Sequence, residues 1–97
     1  MRAKATLVIN EKVTRIDGCL IQVVVWDLPV PLMGSRHRYK YRLYFGKEGV
    51  CLVRFDNEQG KGDHKHINSI ESQYDFTEIP VLLRDFKEAI KNCEVQP

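Results

Sequence analysis

Residues 54–67 hold more side chains able to do chemistry than any other part of the 97-residue sequence. Two histidines, His64 and His66, lie two positions apart, with Lys61 just before them and Arg54 at the start of the stretch. Histidine exchanges protons at physiological pH, so one ring could take the proton of an RNA 2′-hydroxyl while the other protonates the leaving oxygen. The two cations would hold the charge that develops on the phosphate. The pattern predicts metal-free RNA cleavage, with hydrogen bonding inside a polar turn as the open alternative.

Carboxylates in the same stretch raise the alternative of a metal site. Asp56, Glu58 and Asp63 are metal-ligand types, and His-x-His is a common ligand pair. Their spacing matches no closed structural zinc pattern, and the neighbouring lysines would compete for the carboxylates. We therefore expect no metal and no other cofactor. The three acids are assigned supporting roles, and His37 is a further histidine candidate.

A basic and aromatic pattern precedes this stretch. Side chains of a strand alternate between its two faces, which here separates Tyr39, Tyr41, Leu43 and Phe45 from Arg38, Lys40, Arg42 and Tyr44. The basic side predicts a surface that binds the phosphates of a nucleic acid, with Tyr44 stacking on a base. Lys65 is expected to add a further contact to the nucleic acid. A solvated sheet face neutralised by Asp56 and Glu58 is the alternative.

The turn after this strand sets the expected register. Residues 47–49 predict a three-residue hairpin loop with Gly49 in the left-handed conformation. The return strand would then pair Phe45 with Cys51, Leu43 with Val53, Tyr41 with Phe55, Lys40 with Asp56 and Arg42 with Arg54. Opposed arginines are unfavourable unless an anion lies between them, which favours a phosphate-bearing partner.

A second hairpin is expected near the N-terminus. Asp17 followed by Gly18 predicts a two-residue turn, which places Ile9 opposite Trp26. The strand from residue 19 to 28 is apolar on both faces and therefore belongs inside the sheet.

The remaining elements complete an α+β fold. Prolines at 29 and 31 predict a surface connection, and a short strand is expected near residues 73–76. Thr77 predicts a helix N-cap, with Pro80 tolerated in the first turn, and apolar residues at helical spacing follow. We expect an antiparallel β-meander of four or five strands with one C-terminal helix packed on the sheet.

Composition is that of a small globular protein. The length predicts a single domain spanning residues 1–97, and no apolar run approaches the ~20 residues of a membrane span. Three widely spaced cysteines without a CxxC pair argue against a zinc ribbon and against a secreted disulfide framework. A cytoplasmic location is expected, and the net charge of +2 permits a nucleic-acid partner without requiring one.

Three segments together resemble the TumE family, which comprises small toxins of type II toxin–antitoxin modules. They are residues 26–29 (Trp-Asp-Leu-Pro), residues 35–43 and residues 54–66. The most specific is the last, with its Asp-Asn-Glu and Gly-Lys-Gly-Asp-His-x-His runs. The resemblance extends from about residue 5 to about residue 90.

This resemblance implies a growth inhibitor with a cognate antitoxin encoded nearby, expected to carry a helix-turn-helix domain. It implies no catalytic residues, so ribonuclease chemistry remains a prediction from the residues themselves. The alternative is a non-enzymatic binding module whose polar loop docks the antitoxin or another target. A homodimer formed through an edge strand is a further expectation.

Overall fold

The computed structural model describes residues 4–95, and its side chains through residue 94. They form one antiparallel sheet of six strands in meander order, followed by a helix. The elements are β1 (Thr6–Thr14), β2 (Cys19–Asp27), β3 (Tyr39–Lys47), β4 (Val50–Glu58), β5 (Gly62–Ile67), β6 (Ile70–Gln73) and α1 (Ile79–Val95). The α+β meander with a C-terminal helix is confirmed, but the expected count of four or five strands is wrong. The short strand spans Ile70–Gln73 and not residues 73–76, because a tight turn at Asn68 and Ser69 returns the chain early.

The β1–β2 hairpin has a longer turn than predicted. Arg15 donates its backbone N–H to the carbonyl of Cys19 at 2.8 Å, which leaves three residues in the loop. Gly18 takes a φ of 89°, the left-handed conformation that such loops require. Ile9 therefore pairs with Val25, and the predicted pairing with Trp26 is wrong.

The β3–β4 hairpin has a shorter turn than predicted. Glu48 and Gly49 both have positive φ, 52° and 81°, as a two-residue turn of the primed type requires. The ladder also shifts just after Phe45, so this residue pairs with Val53 and not with Cys51. Leu43 pairs with Phe55 and Arg42 with Asp56, so the other predicted pairs, including that of Arg42 with Arg54, are wrong as well. Because the displacement is two residues, every side chain keeps its predicted face.

Helix α1 covers one face of the sheet. The carbonyl of Glu78 accepts the first helical hydrogen bond, from the N–H of Leu82 at 3.0 Å, so Glu78 and not Thr77 is the N-cap. Pro80 lies in the first turn, as expected. The core comprises Cys19, Val23, Val25, Tyr41, Leu43, Phe45, Val53, Phe55, Leu82, Phe86, Ala89 and Ile90. No helix in the described part of the chain is long and apolar enough to cross a membrane.

The other side of the sheet has no helix among the described elements, and we call it the outer face. Side chains two residues apart in a strand share a face, and antiparallel partners share it too. The outer face therefore carries Gln22, Val24, Trp26, Lys40, Arg42, Tyr44, Arg54, Asp56, His64, His66, Glu71 and Gln73.

Candidate functional site

Two neighbouring cross-strand rows bring the polar residues of the outer face together. One row runs Arg42, Asp56, His64, Gln73 across strands β3 to β6. The next runs Tyr44, Arg54, His66, Glu71 across the same strands. His64 and His66 therefore share one surface with Arg42 and Arg54, although these residues come from three strands.

The Asp56–His64 pair is the buried part of this surface. Their side chains are only 10% and 9% exposed, and the carboxylate Oδ1 lies 2.7 Å from His64 Nε2. The other ring nitrogen, Nδ1, lies 3.3 Å from the carbonyl oxygen of Gly62. Both ring nitrogens of His64 therefore have an oxygen acceptor as their neighbour. Among the described residues, Asp56 Oδ1 has no well-aligned hydrogen-bond donor, so the short contact with His64 is poorly directed.

The guanidinium of Arg54 bridges Asp56 and His66. Its Nη2 lies 2.8 Å from His66 Nε2, and its buried Nε lies 3.1 Å from Asp56 Oδ2 as an ion pair, without an aligned hydrogen bond among the described residues. Arginine offers only donors, so His66 Nε2 accepts in this contact. The ring nitrogens of the two histidines therefore have different partners.

His66 is the more accessible of the two histidines. Its side chain is 22% exposed, and the carboxylate of Glu71 lies 3.9 Å from its Nε2. The two imidazole centroids are 5.4 Å apart with their planes at 75°. A substrate on the outer face would therefore meet His66 before the more buried His64.

Tyr44 lies against the sheet next to this pair. A methyl group on Gly46 would come within 2.3 Å of the Tyr44 hydroxyl, which shows how closely the ring covers that glycine. The Arg42 guanidinium lies 5.1 Å from the centroid of the ring, a cation–π contact. A base stacking on Tyr44 would therefore have to share the ring with Arg42.

Some residues predicted for the site lie elsewhere. Lys65 pairs with Phe55 and so points to the helix side of the sheet. Lys61 is in the β4–β5 turn, with its Nζ 3.7 Å from the carboxylate of Glu58. Arg38 precedes β3 and lies 3.6 Å from a carboxylate oxygen of Asp27.

His37 and Asp63 form a separate cluster on the helix side. The Tyr39 backbone N–H donates to His37 Nδ1 at 3.1 Å, and His37 Nε2 lies 2.9 Å from Asp63 Oδ1. The Tyr41 hydroxyl donates to the same oxygen at 2.7 Å, and burial raises the pKa of this hydroxyl. Both nitrogens of His37 are engaged, so proton transfer here would first have to break a structural hydrogen bond. An open cleft of about 630 Å³ adjoins this cluster.

Sequence reasoning missed Glu71 and Gln73. Both belong to β6, which was expected three residues later in the chain. The missed signal was Asn68, a residue that tolerates positive φ and could have marked the turn.

The donor set also permits a metal ion. One ligand atom from each of Asp56, His64 and His66 lies within 4.8 Å of the other two. Of the acids predicted as supporting residues, only Asp56 joins the histidines; Glu58 is exposed in the turn region and Asp63 is on the other face.

Comparison with known proteins gives one result. Neither a curated protein nor a solved structure matches the chain. A family model described as Toxin TumE matches residues 2–93. This match covers nearly the whole chain and confirms the resemblance noted in the sequence: the chain belongs to the TumE toxin family.

Proposed function

We propose that this toxin acts on RNA, through metal-independent cleavage centred on His66 and His64. The observation that carries the proposal is the pair of adjacent rows on the outer face, which sets both histidines beside Arg54 and Arg42. Charged groups that can neutralise a phosphate and groups that can move a proton thus share one surface.

Two exposed cations of the outer face, Lys40 and Arg42, are available to an anionic ligand. No carboxylate in the described part of the chain lies within ion-pair distance of Lys40 or Arg42, and both side chains are exposed. Arg42 has Asp56 as its cross-strand neighbour, but Asp56 is buried and directed towards His64 and Arg54. The phosphates of a single strand would run along Lys40 and Arg42 towards Arg54.

The contacts of the ring nitrogens favour different roles for the two histidines. In the proposed step, neutral His66 takes the 2′-hydroxyl proton at Nε2 once Arg54 turns from this nitrogen to the phosphate. The 2′-oxygen then bonds to phosphorus, and the bond from phosphorus to the 5′-oxygen breaks. His64, in its protonated form and with Nε2 turned away from Asp56, gives its proton to the departing oxygen. This step leaves a 2′,3′-cyclic phosphate and a free 5′-hydroxyl.

Arg54 supplies the positive charge that a metal would supply in other nucleases. Its guanidinium already lies between Asp56 and His66, at 3.1 Å and 2.8 Å. A planar guanidinium matches two phosphate oxygens at once. This supports chemistry that needs no divalent cation.

The test uses purified protein, total RNA and a chelator. We expect cleavage that survives the chelator and falls by about 10² or more in His66→Ala and in His64→Ala. The matched control is Lys65→Ala, which removes a cation from the same strand but from the opposite face. Growth arrest retained by the His64→Ala/His66→Ala double variant would contradict the catalytic role.

One observation favours a second function, docking without catalysis. Asp56 and His64 are nine-tenths buried and contact each other, as a structural pair would. In that case the wild-type protein cleaves no RNA, and the histidine variants lose binding to the antitoxin or to another target instead.

The family implies an antitoxin partner in general. We propose that this partner carries a helix-turn-helix domain and that an RNA target places the toxin's action in the cytoplasm. A homodimer would form through β1 or β6, which are the edge strands of the sheet. Co-purification of the protein encoded by the neighbouring reading frame tests the partner.

A further inference from the structure

We propose that Asp56, His64 and His66 form a latent site for a divalent transition metal of the zinc class, which binds in competition with the guanidinium of Arg54. The three side chains converge from β4 and β5 on the outer face. The proposal concerns the same cluster as the proposed RNA chemistry, but it does not depend on RNA being the substrate.

The geometry is close to that of a bound ion. Zinc lies about 2.0–2.2 Å from nitrogen and oxygen ligands, so two ligands of one tetrahedral ion are roughly 3.4 Å apart. The three ligand atoms here lie within 4.8 Å of one another, so closure requires movements of up to about 1.5 Å. Asp56 and His64, which are 2.7 Å apart, would open slightly, and the partly exposed His66 would move in once Arg54 has left it.

A second observation points to a cation at this position. The Oδ1 atom of Asp56 is buried and, within the described residues, has no aligned hydrogen-bond donor. A buried carboxylate oxygen left without a partner is destabilising. A metal ion between Asp56 and the two imidazoles would satisfy it directly.

The donor types select the metal. Two imidazoles and one carboxylate suit Zn²⁺, Co²⁺ and Ni²⁺, whereas Mg²⁺ and Ca²⁺ prefer an all-oxygen set. Three protein ligands leave at least one coordination position for water or a ligand.

The competing cation is Arg54 and not a lysine. Lys61 is engaged with Glu58 in the turn, and Lys65 lies on the helix side. Arg54 contacts both Asp56 and His66, so a metal can bind His66 Nε2 only after the guanidinium has moved away. Removing this guanidinium should therefore strengthen metal binding, which is the opposite of its expected effect on RNA.

The experiment titrates Co²⁺ into the purified full-length protein and follows the visible d–d absorption of the bound ion. Thiolate ligation adds a near-ultraviolet charge-transfer band, so the spectrum separates this site from the three free cysteines. We expect one Co²⁺ without thiolate character, roughly tenfold tighter binding in Arg54→Met, and loss of binding in His66→Ala and in Asp56→Asn. Arg38→Met is the matched control, because it removes a guanidinium that does not contact these ligands.

Unchanged affinity in Arg54→Met, or retained binding in His66→Ala, would overturn the proposal. If Asp56→Asn fails to fold by circular dichroism, His66→Gln gives the same information from a more exposed position. The absorption readout requires no RNA. Co²⁺ binding as described without any RNA cleavage would therefore refute the proposed function but support the metal site. RNA cleavage without Co²⁺ binding would support the proposed function and refute the metal site.

Discussion

His64 and His66 lie two positions apart on the same strand, yet their ring nitrogens have different neighbours. His64 is surrounded by two oxygen acceptors, whereas His66 receives a hydrogen bond from Arg54. Only the residue type and the shared face were readable from sequence. The difference between them arises from Asp56 and Arg54, which lie two positions apart on the paired strand β4 and share its outer face.

This difference depends on Arg54, and another positively charged side chain should not replace its guanidinium. We expect Arg54→Lys to lower RNA cleavage by on the order of 10²-fold. The planar guanidinium of arginine can direct donors to Asp56, His66 and a phosphate, whereas the compact ammonium of lysine cannot. Single-turnover cleavage measures the loss. The control is Arg38→Lys, whose contact with Asp27 lies away from the histidines. Full activity in Arg54→Lys would mean that only positive charge matters at this position.

At the scale of elements, the hairpin turns decide how the residues of the outer face meet. The alternation of residues 39–45 predicted the correct faces of β3, because a strand has a side-chain period of two. The predicted partners were wrong because turn length depends on local backbone conformation at Glu48 and Gly49. The predicted pairing of Arg42 with Arg54 was therefore wrong, whereas the two arginines do lie on the outer face, as predicted.

The β5–β6 region shows a second limit of sequence reasoning. The strand Ile70–Gln73 is short, its side chains are all exposed, and its apolar residues do not alternate with polar ones. The sequence pattern that would predict a strand is therefore weak. The helix was easier to predict, because Leu82, Phe86 and Ile90 recur at helical spacing and all become buried.

The β1–β2 turn gives a prediction about pH. A hydrogen bond from the Cys19 backbone N–H, followed by one from Arg15, lowers the pKa of the Asp17 carboxyl from 3.8 to about 2. A carboxyl whose pKa is depressed on folding stabilises the folded state above its unfolded pKa. The contribution is therefore present above about pH 4 and is lost as the pH falls towards 2.

Asp17→Ala tests this dependence. We expect the variant to be less stable than the wild type at pH 6, and the two to converge as the pH approaches 2, as measured by urea denaturation at each pH. Glu88→Ala, which removes an exposed helix carboxylate, should show no such convergence. A stability difference that stays constant with pH would indicate that Asp17 acts through backbone geometry alone.

At the scale of the whole molecule, the distribution of charge matters more than its sum. The net charge is only +2, yet Lys40, Arg42 and Arg54 lie on one face of an elongated molecule, 51 × 25 × 23 Å. A small net charge with a concentrated basic surface favours a local contact with an anionic strand over general attraction to nucleic acid.

This arrangement predicts a modest but measurable salt dependence of RNA binding. Each phosphate contact on a single strand contributes about 0.7 to the slope of log affinity against log salt concentration. Lys40→Ala and Arg42→Ala should each lower that slope by about 0.7 and weaken binding at low salt. The control is Lys87→Ala, an exposed helix cation on the other side of the molecule, which should leave the slope unchanged. Fluorescence anisotropy with a labelled single strand, measured at several salt concentrations, gives the slopes. If Lys87→Ala lowers the slope as much as Arg42→Ala does, the RNA is not bound along the outer face, and the histidines lose their proposed substrate.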